Sequence, residues 1–300
     1  METNRNRSLP CVATGTTQRI LLRYSLRPTG EIDPEMYVCS KCKGPLVDYK
    51  CARCRLEFPV LEGVPCFLTE SAGGGGQRLR KIYDDIYRHH EDVWIDQGRS
   101  QDFLGYFCEL AQSPPGDSVL EIGCGEGRLL AALTSGSKYG IDPSIHALVR
   151  ARKRSAAEYA VARAEELPFP QECFDLVVAV GVMEHFEEPD VATAEIRRVL
   201  RPRGRYIALI QTDMTRIERL AVKAREYLFP RFRPGALLKW ANKKLRHRIV
   251  QPFRRSYTID TARRCLERNG LEVTQMITRR IQPDAPLAGD HVAILLSRRP

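Results

Sequence analysis

The chain contains the stretch Val119-Leu120-Glu121-Ile122-Gly123-Cys124-Gly125-Glu126-Gly127-Arg128-Leu129-Leu130, in which glycine occupies every second position of a turn. An apolar run enters the turn and an alanine-rich apolar run leaves it, so the pattern predicts a strand, a glycine-rich loop and a helix. Glycine lets the backbone approach a ligand closely, and the N–H groups at the start of a helix favour an anionic group. This stretch therefore predicts a ligand-binding loop.

A carboxylate ends the next apolar run, in Tyr139-Gly140-Ile141-Asp142-Pro143, with Asp142 fifteen residues after Gly127. A carboxylate at a strand tip in this position can accept hydrogen bonds from both hydroxyl groups of a ribose. The loop and Asp142 together predict a nucleoside site. A dinucleotide site is disfavoured, because Arg128 stands where the G-x-G-x-x-G pattern requires its third glycine.

Four further motifs follow in order: Leu167-Pro168-Phe169, Phe174-Asp175-Leu176-Val177-Val178, Glu184-His185, and Leu200-Arg201-Pro202 with Gly204. With the glycine loop, they make the chain from about residue 77 to 300 resemble the class I S-adenosylmethionine (SAM) methyltransferases. Within that family it looks like the small-molecule enzymes of the ubiquinone and menaquinone biosynthesis type. The resemblance implies an α/β fold with a seven-stranded Rossmann-like sheet, SAM as the cofactor, and methyl transfer as the activity.

The same resemblance implies roles for individual residues in SAM binding. The residues matching Glu121, Gly123 and Gly125 contact the methionyl end of SAM in the family, and the residue matching Asp142 binds the ribose. We interpret the thiol of Cys124 as filling space in the loop and not as a nucleophile. The other positions expected to contact the cofactor are Cys124, Pro143, Ala164, Glu165 and Val180.

The turn Arg163-Ala164-Glu165-Glu166 corresponds to the adenine-binding turn of the family and contains the clearest departure from its pattern. Relatives commonly carry Asp where Arg163 stands, and that Asp accepts a hydrogen bond from the N6 amine of adenine. Arginine is only a donor. Either Glu165 or a backbone carbonyl therefore accepts this hydrogen bond, or SAM binding is weakened.

The segment Gly181-Val182-Met183-Glu184-His185 follows the predicted strand Phe174–Val180, beside the expected position of the methyl group. No Asn/Asp-Pro-Pro-Tyr motif and no Pro-Cys pair follow this strand, so methylation of an adenine amine or of carbon 5 of a pyrimidine is disfavoured. Histidine side chains titrate near neutral pH and can take a proton from a hydroxyl group. We take His185 as the candidate catalytic base, acting without a metal, with a structural histidine as the alternative.

Two Cys-x-x-Cys knuckles lie nearer the N-terminus, at Cys39 and Cys42 and at Cys51 and Cys54. Four thiolates with this spacing can surround a tetrahedral zinc ion, and a module of about thirty residues buries too little apolar surface to fold without such help. A closed four-sulfur site has a structural role. The module resembles the zinc-ribbon activator subunit of translation-linked methyltransferases and is also similar to the ribbon of rRNA guanine methyltransferases, although the latter ends its site with Cys and His.

The motifs divide the chain into five segments. After the linker, apolar residues at helical spacing predict a helix over the cofactor, in which Tyr83 and Tyr87 either contact the ligands or pack in the core. The predicted segments are a loose arm at 1–35, the zinc ribbon at 36–70, a glycine linker at 71–76, the methyltransferase domain at 77–300, and within it a basic helical cap insertion at 214–255.

Composition indicates a soluble globular protein of 300 residues, 43% of them hydrophobic and 28% charged. No apolar run approaches the roughly twenty residues of a membrane span, and ten cysteines without an N-terminal apolar leader predict reduced thiols in the cytoplasm. Residues 201–300 hold 23 Lys and Arg against 8 Asp and Glu, whereas residues 71–200 hold 14 against 21. The basic excess predicts an anionic acceptor or surface, or simply a solvated face.

Three functional hypotheses follow from the sequence. The first is methyl transfer from SAM, in a biosynthetic reaction, to an oxygen or nitrogen of a small or medium-sized acceptor that carries negative charge where it faces the insertion. The second is an rRNA or tRNA methyltransferase, which the ribbon and the basic C-terminal third favour. The third is a non-catalytic scaffold, which only Arg163 favours. The sequence specifies neither the acceptor nor the oligomeric state.

Overall fold

The computed structural model of this chain describes residues 36–69, 75–91, 101–212, 255–279, 281–282, 284–285, 287 and 291–300. These residues all belong to one compact unit, 33–300. The predictions for the arm at 1–35 and for the insertion at 214–255, apart from Arg255, lie outside the described residues.

From residue 118 onward a helix follows most of the described strands, but only a 3₁₀ turn separates the third strand from the fourth, and no described helix lies between the last two strands. Two short 3₁₀ turns, Ala164–Glu166 and Met183–His185, follow two of the strands. The strands are β1 Lys50–Cys51, β2 Leu56–Glu57, β3 Val60–Leu61, β4 Val64–Pro65, β5 Ser118–Ile122, β6 Ser137–Asp142, β7 Glu158–Val161, β8 Phe174–Val180, β9 Leu200–Gln211, β10 Glu272–Thr278 and β11 Val292–Arg298. The helices are α1 Gly75–His89, α2 Gln101–Ala111, α3 Arg128–Ala132, α4 Ile145–Arg154, α5 Pro189–Val199 and α6 Ile259–Arg268.

Seven strands form one mixed sheet in the order β10-β11-β9-β8-β5-β6-β7, which confirms the predicted seven-stranded sheet. Strands β5 to β9 are parallel to one another, and β11 and β10 are added as antiparallel strands at one edge. The central strand β8 is almost entirely apolar and buried, as a parallel strand covered on both faces requires. The parallel register brings the carboxyl ends of β5, β6, β8 and β9 to one edge of the sheet, where α/β proteins bind ligands.

Side-chain caps hold the starts of two helices in place. Ser144 caps α4, its hydroxyl accepting a hydrogen bond from the N–H of Ala147 at 3.3 Å. Thr258 caps α6 in a reciprocal capping box with Thr261. These caps satisfy N–H groups that have no partner inside the helix, so the first turns are fixed in place.

The cysteine-rich module packs against the β7 edge of the sheet. Its two hairpins, β1–β2 and β3–β4, are followed by Cys66, which forms a parallel bridge with Val161, and the N–H of Phe67 donates to the Val161 carbonyl at 2.7 Å. The ring of Tyr37 lies 5.1 Å from that of Phe67 and 5.5 Å from that of Phe169, measured between centroids. The module and the sheet therefore share an aromatic core.

Several boundaries differ from those predicted. Helix α1 begins at Gly75, so the last two glycines of the predicted linker 71–76 are helical. Strand β9 extends from Leu200 to Gln211, longer than the predicted Tyr206–Ile210, because it pairs with β8 from Leu200 and with β11 as far as Gln211. Among the described helices, none combines the length and the apolar character needed to cross a membrane.

Candidate functional site

The glycine loop bends sharply between β5 and α3. Gly123, Gly125 and Gly127 have φ angles of 65°, 52° and 70°, in the left-handed region that side chains with a Cβ rarely adopt. A Cβ on Gly123 would lie 2.4 Å from the Cγ2 of Val182. The loop therefore needs glycine at position 123 both for its backbone angle and for the close approach of the segment that follows β8.

Asp142 at the end of β6 is bound to this loop. Its Oδ2 accepts a hydrogen bond from the N–H of Gly125 at 3.0 Å, and its Oδ1 accepts one from the N–H of Ser144 at 2.9 Å. The residue is 5% exposed. Two backbone donors fix the carboxylate at the point where the parallel strands end.

A cleft that is open to solvent lies at this edge of the sheet. Most of the residues expected to bind SAM line it. The candidate base His185 lines it as well. The predicted residues in its wall are Gly123, Asp142, Pro143, Ala164, Glu165, Val180 and His185.

Three predicted residues are not in the wall. Glu121 lies in β5 and is 1% exposed. The N–H of Gly125 donates a hydrogen bond to the carboxylate of Asp142. The side chain of Cys124 is fully buried in the core, where its Sγ would lie 2.8 Å from a Cβ placed on Gly140. Any contact that Cys124 makes with a ligand would come from its backbone.

The wall also contains residues that the sequence patterns did not single out as binding residues. They come from the carboxyl ends of the same strands, from the turn after β8 and from α1, where Tyr83 and Tyr87 were expected to contact the ligands or to pack. Because parallel strands end at the same edge of a sheet, the residues at the predicted strand ends could have been expected to line the site, and most of these residues lie there. They are Leu79, Tyr83, Tyr87, Ile122, Ile141, Ala162, Arg163, Gly181, Val182, Glu184, Phe186, Leu209 and Gln211.

The cleft is rich in carboxylates. Asp142, Glu165 and Glu184 line it, and each is less than 9% exposed. Burial, followed by the charges of Asp142 and Glu184, raises the pKa of the Tyr83 phenol, so that this hydroxyl stays protonated. The cleft therefore favours a ligand that carries positive charge.

Arg163 adds a positive charge to the cleft, but acidic partners hold it. Its Nη2 lies 2.8 Å from the Oε1 of Glu166, and its Nη1 lies 3.1 Å from the Oε2 of Glu187. The neighbouring Glu165 accepts a hydrogen bond from the N–H of Glu187 at 2.8 Å, and burial raises the pKa of its carboxyl group. Glu165 therefore provides a hydrogen-bond acceptor at this turn of the cleft wall, whereas the side chain of Arg163 can only donate.

The segment after β8 forms a short 3₁₀ turn that places Glu184 and His185 in the cleft. The N–H of His185 donates to the carbonyl of Val182 at 2.8 Å, and the carbonyl of Glu184 accepts from the N–H of Arg255 at 2.7 Å. Gln211, at the end of β9, lines the same cleft. The chain on both sides of residues 213–254 therefore borders the cleft.

A second candidate site lies in the cysteine-rich module. The Sγ atoms of Cys39, Cys42, Cys51 and Cys54 all lie within 4.8 Å of one another, and Cys39 and Cys51 are buried. Tetrahedral zinc with bonds of about 2.3 Å to sulfur separates its ligands by about 3.8 Å, so this donor set fits zinc. The N–H of Gly44 is the main cause that lowers the pKa of the Cys42 thiol to about 7. The hydrogen bond with Cys42 raises the pKa of the Cys54 thiol to about 12, and burial raises that of Cys39, so the thiols without an ion share protons unequally. Cys66 lies outside the cluster and is buried.

The comparisons with known proteins agree with this architecture. Residues 120–208 match the family model described as a methyltransferase domain. A demethylmenaquinone methyltransferase from Symbiobacterium thermophilum is 29% identical over 147 residues, which are 44% of this chain and 59% of that protein. A tRNA (carboxymethyluridine(34)-5-O)-methyltransferase from Xenopus tropicalis is 30% identical over 139 residues, 44% of this chain and 20% of that protein. The chain spans less than two thirds of the length of the first curated relatives that it matches.

Among solved structures, the fold is similar to a chain from the Haloferax volcanii complex that contains the Trm112 methyltransferase activator. The TM-score is 0.55, with 16% identity, and the match covers 74% of this chain and 97% of that chain. At this identity the likeness concerns the fold alone. The sheet order and the family match confirm the predicted Rossmann-like methyltransferase fold.

Proposed function

We propose that this chain, which carries a methyltransferase domain of the class I fold, transfers a methyl group from SAM to an oxygen or nitrogen of a small or medium-sized acceptor. The observation that supports this most directly is Asp142, held by the N–H of Gly125 in a cleft lined by three buried carboxylates. SAM is a nucleoside with a cationic sulfonium. A carboxylate at a strand end suits its ribose hydroxyls, and the negative charge of the cleft suits its sulfonium.

The residues divide the task of holding the cofactor. Asp142 accepts hydrogen bonds from the ribose hydroxyls, and Glu165 accepts the hydrogen bond from the adenine amine in place of the Asp that Arg163 replaces. Gly123 lets the loop pack against Val182, where a Cβ would collide, and its backbone would face the methionyl end from the cleft wall. Bound SAM would supply an activated methyl group, and positioning by these residues supplies most of the catalytic effect.

The cleft wall also contains apolar and aromatic side chains. Tyr83, Tyr87, Phe186 and Leu209 line it and favour an apolar or aromatic body in the acceptor. His185 lies in the same wall and would take the proton from an acceptor hydroxyl. Negative charge on the acceptor is supported by composition, because residues 214–255 hold thirteen Lys and Arg against two Asp and Glu.

The cysteine cluster is proposed as a structural zinc site. All four ligand positions would be taken by sulfur, so no coordination site would remain for a substrate. The protein residues Cys39, Cys42, Cys51 and Cys54 would hold the ion, and the ion would stabilise the two knuckles that pack on the sheet edge.

The test has two steps. Isothermal titration of the zinc-loaded chain with SAM should show one site per chain, and transfer of a radiolabelled methyl group should then be screened against hydroxylated aromatic compounds, fatty acids and tRNA. Absence of SAM uptake by the folded, zinc-loaded protein contradicts the proposal and promotes the non-catalytic scaffold. Transfer to a small acceptor supports it.

An RNA methyltransferase is the second candidate. The basic C-terminal third and the tRNA methyltransferase relative favour it. Binding that relies on phosphate contacts falls steeply as salt rises. Labelled tRNA and rRNA fragments should therefore be titrated at low and physiological salt. Salt-sensitive binding accompanied by methyl transfer would favour this candidate, and no binding at low salt would exclude it.

A further inference from the structure

Two lysines of the first cysteine knuckle hydrogen-bond to the turn that lines the cleft. Lys41 lies between Cys39 and Cys42, and its Nζ lies 2.8 Å from the Oε1 of Glu166. Lys43 follows the knuckle, and its Nζ donates to the carbonyl of Leu167 at 3.1 Å and lies 2.6 Å from the Oε2 of Glu195. The knuckle therefore contacts the turn after β7 with two ammonium groups.

Glu166 connects Lys41 to a residue of the cleft wall. The oxygen that Lys41 binds also accepts a hydrogen bond from the Nη2 of Arg163 at 2.8 Å, and the other oxygen accepts one from the hydroxyl of Thr69 at 3.2 Å. The side chain of Glu166 is 14% exposed. Glu166 thus contacts both Lys41 of the knuckle and Arg163, a residue of the cleft wall.

Glu187 contacts both polar residues of the same turn, Arg163 and Glu165. Arg163 also pairs with Glu187, and the N–H of Glu187 donates to the Oε1 of Glu165, the proposed acceptor for adenine. A displacement of Glu166 would therefore shift Arg163 and, through Glu187, Glu165, which are the two polar side chains that this turn contributes to the cleft. A series of contacts therefore leads from Lys41 through Glu166 to Arg163, and from Arg163 through Glu187 to Glu165.

We propose that Lys41 is a positioning residue for nucleoside binding and that it couples metal binding at the four cysteines to ligand binding in the cleft. A metal fixes Cys39 and Cys42, and hence the backbone of Lys41 between them. Lys41 then fixes Glu166, which holds Arg163 against the cleft wall. Coupling between two sites is reciprocal, so a nucleoside in the cleft also tightens metal binding. This inference rests on the proposed function.

The first experiment measures the dissociation constant of S-adenosylhomocysteine by isothermal titration on the full, zinc-loaded chain. Lys41→Met should raise it about fivefold or more, and Lys41→Arg, which keeps the charge, should restore it to within about twofold of wild type. Lys50→Met is the matched control, since Lys50 is an exposed lysine that pairs with Glu57 inside the ribbon. It should leave the constant unchanged.

The outcomes separate this inference from the proposed function. If the wild-type chain does not bind S-adenosylhomocysteine, the proposed function fails. If the wild type binds but Lys41→Met and Lys50→Met give equal constants, the coupling through Lys41 is wrong while the proposed function stands. Zinc content and melting temperature are measured on each variant, so that a lost fold is recognised.

The second experiment needs no variant for its main result. The zinc affinity of the wild-type chain is measured at equilibrium by competition with a coloured chelator, with and without saturating S-adenosylhomocysteine. The nucleoside should increase zinc affinity about fivefold or more, and Lys41→Met should reduce this increase. An unchanged zinc affinity in the wild type would overturn the coupling.

Discussion

Asp142 and Gly125 are joined by a hydrogen bond of 3.0 Å from the backbone N–H of the glycine to the Oδ2 of the carboxylate. The bond connects the loop after β5 to the end of β6. A carboxylate has about four lone-pair sites, and Gly125 and Ser144 each donate to one of the two oxygens of Asp142. One side chain therefore both orders the loop and offers acceptors to a ligand.

Asp142→Asn should weaken nucleoside binding and the fold together. The amide replaces one acceptor oxygen by a donor group, which faces the N–H of Gly125 or of Ser144. A buried donor left without an acceptor costs about 1–3 kcal/mol. Urea unfolding should show a loss of this size, and titration should show weaker binding of S-adenosylhomocysteine. The exposed Asp102→Asn is the control, and equal behaviour of the two variants would contradict the role of Asp142.

Gly123→Ala should reduce nucleoside binding by moving the segment after β8. The new Cβ would lie 2.4 Å from the Cγ2 of Val182, at a φ of 65°. Adding Val182→Ala removes the collision but not the backbone strain, which costs on the order of 1 kcal/mol. The double variant should therefore recover part of the stability and of the affinity, measured by urea unfolding and titration.

The control for this variant is Gly105→Ala. Gly105 lies within α2, and a Cβ there meets nothing within 4 Å. Alanine is the better helix former by up to about 1 kcal/mol, so this variant should be as stable as the wild type or slightly more stable. A similar loss of stability in both variants would show that the effect at Gly123 comes neither from the collision with Val182 nor from the positive φ angle.

The seven-stranded sheet was predicted through the resemblance to the class I methyltransferases that the ordered motifs carry, and the sheet order confirms it. The apolar runs located individual strands within it. Strand Phe174–Val180 was predicted with its observed bounds. The length of β9 was underestimated, since its first residues include Arg201, Pro202 and Arg203 and do not form an apolar run. Sheet pairing, which a local pattern does not contain, determines where that strand begins.

The site was predictable to the extent that it depends on strand ends. The wall residues Gly123 and Asp142 were predicted from the glycine loop and the carboxylate at a strand end, and Glu165 was predicted through the resemblance to the family. The contacts of Arg163 with Glu187, and of Lys41 with Glu166, join residues 24 and 125 positions apart. Such long-range ion pairs arise from packing, and one sequence has no periodicity that reports them.

Loss of the metal ligands should destabilise the chain at the β7 edge. Cys39→Ser removes one of four thiols that lie within 4.8 Å of one another. Structural zinc contributes folding free energy directly, so the variant should lose its zinc and melt several degrees lower. Metal analysis and differential scanning fluorimetry check this outcome. Cys108→Ser, outside the cluster, should keep one zinc per chain, and a Cys39→Ser variant that retains it would contradict the assignment.

The ion pairs of Glu166 should make stability depend on pH in the acid range. Burial raises the pKa of this carboxyl group, but hydrogen bonds from Lys41 and Arg163 outweigh it and lower the pKa below the ordinary value of 4.5. A pKa lowered by folding contributes stability above pH 4.5, and this contribution is lost as the pH falls through the lowered value.

The measurement compares the free energy of unfolding of wild type and Glu166→Gln as the pH falls. The wild type should be the more stable at pH 7, and the difference should shrink below pH 4.5, the ordinary value of the carboxyl group. The exposed Glu109→Gln should show no such trend. A difference between wild type and Glu166→Gln that stays constant with pH would show that these ion pairs do not contribute to stability.

His185→Gln should separate catalysis from cofactor binding. Glutamine keeps a polar side chain in the cleft wall but cannot take a proton from an acceptor hydroxyl. With the hydroxyl acceptor found by the methyl-transfer screen, kcat should fall by about 10²–10⁴, and the rise of kcat with pH that reports the base should disappear. The affinity for S-adenosylhomocysteine should stay unchanged in titration. The exposed His89→Gln is the matched control. If His185→Gln retains kcat and instead melts at a lower temperature, the histidine has a structural role and another group accepts the proton.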